Sequence, residues 1–219
     1  MNSTPKLQQR SQDTRNALMR AAEQLIAEEG IENVTARAIT TLADQKNESA
    51  LQYHFGNFKG LIKSIGDQRH EEVELRRQQL LDAQLANSAK PSVRELCKLM
   101  IMPAFQLARE DPGFLLYVKG FGRELALSEQ PATRHTSRAG DRATVEIRRL
   151  MFEALASLDE AILAERFDYA IRFIGLSMSR QARLRNAFGG RSGEVFLNRL
   201  ADMTAGLLSA PHSPDSGRG

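Results

Sequence analysis

The chain has 219 residues, 42% of them hydrophobic, which is enough for one or two domains around a sizeable core. No apolar run approaches the roughly 18 residues needed to span a bilayer, and the N-terminus MNSTPKLQQRSQDTR lacks the apolar stretch of a secretory signal. A net charge of +3 is too small to mark a polyanion-binding protein, so such a role requires a local positive face. The single Cys97 excludes an internal disulfide and fits a reducing compartment, so the expected location is cytoplasmic.

Almost every segment has helical periodicity, and no alternating strand pattern stands out, which predicts an all-α fold of about nine helices. Residues 1–11 read as a flexible arm. Helix 1 is predicted from Gln12 to Glu29, with Leu18, Ala22, Leu25 and Ile26 facing inward. Gly30 suits the left-handed position after it, with Ile31 as the hydrophobic seal. Thr35 is placed to cap a helix from Ala36 to Ala43, with Val34 and Ile39 as a hydrophobic staple. Ile39, Leu42 and Ala43 form its apolar face. A polar turn, Asp44 to Asn47, separates it from a helix over Glu48–Phe55, which Asn47 is placed to cap. On that helix Leu51 and Phe55 are four apart and share the core side, leaving Ser49, Gln52 and Tyr53 opposite them. Gly56 then stops the helix, and Asn57 caps a fourth that is predicted to reach Leu85, with Leu61, Ile62 and Ile65 buried and the later half more solvated.

Asn87 to Pro91 is the most marked break in the pattern. Ser92 and Glu95 form a capping box that opens helix 5, which runs to about Arg109 and carries Pro103 inside it, where a kink is expected. Asp111-Pro112 reads as cap and first residue of helix 6. Helix 7 is predicted over Ala132–Ala156 and helix 8 over Asp159–Ala187. Gly189-Gly190 breaks the chain, Ser192 is placed to cap helix 9, and the tail from Pro211 is expected to be disordered.

The helix pair around the polar turn has the shape of a DNA reader. A polar and aromatic stripe opposite an apolar anchor reaches base edges and phosphates, and an imidazole N–H from His54 at the helix end reaches a phosphate. His70, His135 and His212 lie in unrelated settings, and no spacing among the four histidines suggests a metal. No nucleophile elbow, H-E-x-x-H or P-loop is present, so an enzyme is not expected, and no cofactor is implied. A helical adaptor that binds only protein is the alternative.

Residues 12–65 resemble the N-terminal domain of the tetracycline-repressor (TetR) family of bacterial transcription regulators. The resemblance rests on EEGIENVT at the end of helix 1, the IxxLA pattern, and YHFGNFKGLI at the junction of the third and fourth helices. The family usually has a tyrosine where Gln52 stands and a lysine where Phe58 stands; Lys59 is one place on. The resemblance implies a helix-turn-helix DNA-binding domain over 12–65 and a ligand-binding and dimerisation domain over 66–209, with 210–219 as tail. It implies a homodimeric, ligand-responsive regulator, a repressor on a palindromic operator of double-stranded DNA, without membrane attachment. The DNA-facing set is then Thr35, Arg37, Lys46, Asn47, Ser49, Gln52, Tyr53, His54 and Lys59. Met100, Phe105, Phe114, Tyr117, Phe121 and Phe173 are the candidates to line a cavity for a small apolar or amphipathic effector, with Arg123, Arg172 and Arg180 available to an anionic group. Helix 8 (Ile162, Phe173, Leu176, Leu184) and helix 9 (Phe196, Leu200, Met203, Leu207) are the expected dimer surface, the latter four as its centre.

Overall fold

The computed structural model describes residues 4–88, 90–133, 138 and 140–211, with side chains from residue 8. Among them it has nine α-helices and no strand: α1 Thr4–Glu29, α2 Ala36–Leu42, α3 Ser49–Phe55, α4 Phe58–Asn87, α5 Val93–Glu110, α6 Pro112–Leu127, α7 Arg142–Ala154, α8 Glu160–Ala182 and α9 Gly190–Ser209. His135, His212 and the tail from residue 212 lie outside the described residues.

Most helix ends follow the capping chemistry of the sequence. Thr35 Oγ1 accepts from the Ala38 amide at 3.1 Å. Asn57 Oδ1 accepts from Gly60 at 2.9 Å. Ser92 and Glu95 form a complete capping box, and the Asp111 carboxylate accepts from Gly113 and Phe114 with Pro112 in the first turn. Each such cap satisfies amides that helix geometry leaves without partners.

Other ends differ from expectation. The segment expected as an arm is helical from Thr4, because its Gln, Lys and Arg residues are good helix formers and Pro5 falls in the first turn, where proline is tolerated. Of the apolar face expected for α2 and its C-cap, Ile39 and Ala43 are buried, but Leu42 is exposed. Asn47 lies one residue outside the cap of α3, which Glu48 occupies without a side-chain bond, and Asn47 Oδ1 instead accepts from Ser49 N at 3.0 Å. Helix α7 begins at Arg142 rather than Ala132, after Gly140 takes a φ of 102° and Asp141 becomes the N-cap. Helix α8 stops at Ala182, five residues early, and Asn186 turns the chain at a φ of 55°. Ser192 does not cap α9: Gly189 is the N-cap, and the Ser192 hydroxyl donates to its carbonyl. The later half of α4 is the more solvated one, as expected, with Leu81 buried in it.

Three cores result. Leu18, Ile26, Ile39, Leu51, Leu61 and Ile65 join α1–α4 into one. The other two run through α5–α9, one around Leu96, Cys97 and Met151, the other around Phe105, Phe114 and Leu200. Burial pushes the Cys97 thiol up to about 12, so it packs as an inert apolar group. Helix α6 ties the halves together. A Cβ on Gly120 would come within 2.9 Å of Ile26 in α1, and one on Gly122 within 2.5 Å of the Gly175 carbonyl in α8. Only glycine lets α6 lie this close to both neighbours.

The junction of α3 and α4 is equally tight: a Cβ on Gly60 would stand 2.0 Å from the Phe55 carbonyl oxygen. Gly60→Ala should therefore push α3 away from α4, at about 1–3 kcal/mol for overpacking. A thermal melt should show a drop of several degrees, and an unchanged melting temperature would show that the junction relaxes freely.

Candidate DNA interface and effector cavity

The α2–turn–α3 unit exposes the polar and aromatic stripe expected of it. Leu51 anchors α3 in the core, and Phe55 is half-buried with the Arg15 guanidinium 5.2 Å above its ring. Ser49, Gln52 and Tyr53 are exposed on the other side, Tyr53 at 81% of its surface. Arg37, Lys46, Asn47 and Lys59 are exposed around the same unit, and Thr35 is exposed at the start of α2 with its hydroxyl engaged in the cap. The Ser49 hydroxyl donates to Asn47 Oδ1, so that pair is partly committed to holding the turn. His54 packs edge-on against Tyr53 and is only half-exposed. Burial and then the Arg15 charge hold its pKa below the usual histidine value.

Behind this unit a cavity of about 790 Å³ opens between α4, α5, α6, α7 and α8. Met100, Phe114, Tyr117 and Phe121 line it as expected, with Tyr117 stacked on Phe121 at 4.9 Å. Phe105 and Phe173 do not. Phe105 is buried against Phe188 in the core, and Phe173 packs into that same cluster from α8. Arg123 and Arg180 are exposed away from the cavity, and Arg172 is spent on Asp168 and the carbonyls of Ala126, Ser128 and Gln130, closing the end of α6.

The polar wall of the cavity comes instead from α4. Arg69 lines it and forms a bidentate pair with Glu23 of α1, at 2.8 and 2.9 Å, with both side chains buried. The same guanidinium reaches Glu72 at 2.8 Å and Asp111, the cap of α6, at 3.0 Å, and it lies 5.4 Å from the Phe114 ring centre. Burial opposes the charge on Arg69, but Glu23 and Glu72 outweigh it and its pKa rises. Burial likewise pushes the Glu23 carboxyl up against the pull of Arg69. His70 Nε2 meets Asp141 Oδ2 at 2.8 Å, and Arg77 joins Glu74 at 2.9 Å and Thr144 at 2.7 Å. Sequence reasoning missed this wall. Its signal was available: His70, Val73, Glu74 and Arg77 recur at helical spacing on α4.

The proposed dimer residues scatter. Leu200 is fully buried within its own chain, Phe196 and Leu207 are half-buried against the cores, and Met203 alone is 51% exposed. Leu200 is apolar because α9 packs on α5 and α8, which the spacing alone does not distinguish from an outward stripe. The exposed apolar positions of this region are Tyr169, Leu176, Leu184, Val195 and Met203.

Residues 98–210 match the family model for the tetracyclin repressor-like C-terminal domain. The chain belongs to the TetR family. It is thus a transcriptional regulator and not an enzyme; TetR regulators bind DNA and small-molecule ligands, usually as dimers. No curated protein matches the chain. Among solved structures, a protein described as a TetR-family transcriptional regulator from Rhodococcus sp. is 15% identical over 88% of this chain and 98% of its own, with a TM-score of 0.55. RolR in complex with resorcinol is 17% identical over 94% and 97%, at 0.48. A transcriptional regulator from Streptomyces coelicolor A3(2) is 22% identical over 87% and 98%, at 0.41. No helix of the described residues is long and apolar enough to cross a membrane.

If α3 reads DNA, Gln52 and His54 have separable tasks. Gln52→Ala should change the preferred sequence, at about 1–3 kcal/mol for one bidentate base contact. His54→Ala should weaken binding to all sequences more evenly. Competition binding across a set of operator variants checks both; unchanged preference in Gln52→Ala with altered preference in His54→Ala would reverse the assignment.

Proposed function

We propose that this TetR regulator is a repressor that binds a palindromic operator as a homodimer and leaves it when a small, largely apolar molecule fills the cavity. The observation that carries this reading is the shared use of Arg69: one guanidinium borders the cavity, holds Glu23 in the DNA-binding unit and braces the cap of α6. A ligand that displaces Phe114 or Arg69 therefore acts on α1 directly.

Two reading helices enter successive major grooves only if their separation matches about 34–36 Å. A ligand that favours another separation lowers DNA affinity by its differential affinity for the two states. Selection of bound duplexes from a random pool tests the class and the symmetry together: a palindromic consensus is expected, and retention of no duplex would favour a protein-binding adaptor.

The exposed apolar face of α8 and α9 is the proposed contact between subunits. Leu176→Asp with Met203→Asp would bury unpaired charge in that contact. Sedimentation should show a folded monomer for this variant and a dimer for the wild type. A wild type that sediments as a monomer would remove the homodimer.

A further inference from the structure

We infer that the effector docks on the bare backbone of α4 at Gly66, where it bears on the DNA-binding unit directly, beside Ile31 and Ile62. This rests on reading the cavity as the effector site, and it says where in that cavity the regulatory contact is made.

Ile62, Gly66, Arg69, His70, Val73 and Arg77 recur three and four apart on one face of α4, and that face borders the cavity. Gly66 is the gap in it. A glycine inside a helix loosens it relative to alanine, so its presence calls for a packing or a functional reason. At Gly60, Gly120 and Gly122 the reason is packing, because a Cβ there would collide with a neighbour. At Gly66 a Cβ would meet nothing within 4 Å beyond its own turn of helix, and the free space is the cavity. Among the described glycines inside helices, Gly206 is the other with nothing so near; it is exposed three residues after Met203, on the face proposed for the subunit contact. Both open glycines therefore lie where a second molecule is expected. The setting of Gly66 gives its contact a consequence. Ile62, one turn before it, and Ile31, in the turn after α1, line the same cavity and pack against the core of the DNA-binding unit, as do Tyr117 and Phe121 of α6. An apolar molecule seated at Gly66 buries its surface against that unit without passing through Arg69 and Glu23, so the cavity has a direct route to α1–α4 as well as the ion-paired one.

The test places side chains in the open space and titrates the full-length protein with Nile red, an uncharged, planar, largely apolar dye that brightens on leaving water. Gly66→Leu should bind the dye at least about tenfold more weakly than the wild type, the scale on which an apolar pocket responds to one methylene too many. Gly66→Ala should fall between the two, and Ile31→Ala should also weaken binding. Both Gly66 variants should melt no lower than the wild type, since alanine and leucine favour a helix over glycine. If Gly66→Leu melts lower, Gly66→Ala decides alone. Equal dye affinity in the wild type and the Gly66 variants, as expected of a glycine kept for helix flexibility, would overturn the inference, and so would a wild type that binds no dye. Release of selected operator DNA is scored separately: dye that is lost from Gly66→Leu but never releases DNA from the wild type leaves the docking position standing and contradicts the sensor reading instead.

Discussion

The buried pair between Arg69 and Glu23 is the constraint on which the rest of the molecule turns. A guanidinium and a carboxylate taken out of water cost several kcal/mol each unless their geometry is nearly ideal, and removing one partner strands the other. The bidentate contact meets that demand, and Glu72 and Asp111 both accept from the remaining nitrogen, Nη1. The pair fixes where α4 lies against α1. Because Asp111 also caps α6, it fixes where α6 begins. Three helices from two functional units thus meet at one side chain.

Close packing extends that constraint along α6. Gly120 brings it against α1, Gly122 against α8, and Phe114, Tyr117 and Phe121 turn from the same helix toward the cavity. Interiors packed to this density do not deform continuously; they shift between discrete arrangements. A molecule that separates the aromatic rings moves a helix whose other face rests on the DNA-binding unit. The cavity and the reading helix are therefore mechanical neighbours although no residue belongs to both.

Much of the fold was legible because helix ends carry local chemistry. Ser92 with Glu95, Asp111 with Pro112, and Asn57 with Gly60 each announce a helix start through groups at most three residues apart. What was not legible depended on distance along the chain. Glu23 and Arg69 are 46 residues apart, and nothing in either segment marks them as partners. Apolar spacing was ambiguous for a related reason: Leu200 and Met203 lie on one helix, but only the positions of α5 and α8 decide that the first is core and the second is surface. Phe105 and Phe173 failed as cavity residues in the same way, since an aromatic side chain that fills a core and one that borders a void have the same local pattern.

The central claim is that Glu23 and Arg69 transmit between the DNA-binding unit and α6. Amide hydrogen exchange measures it directly, with and without the selected operator, in the wild type and in Glu23→Gln, a variant that keeps the side chain's size and one hydrogen bond to Arg69. Operator binding should slow exchange across α6 in the wild type, far from any DNA contact, and Glu23→Gln should still bind the operator but lose that distant protection. Equal protection of α6 in both proteins would contradict the claim.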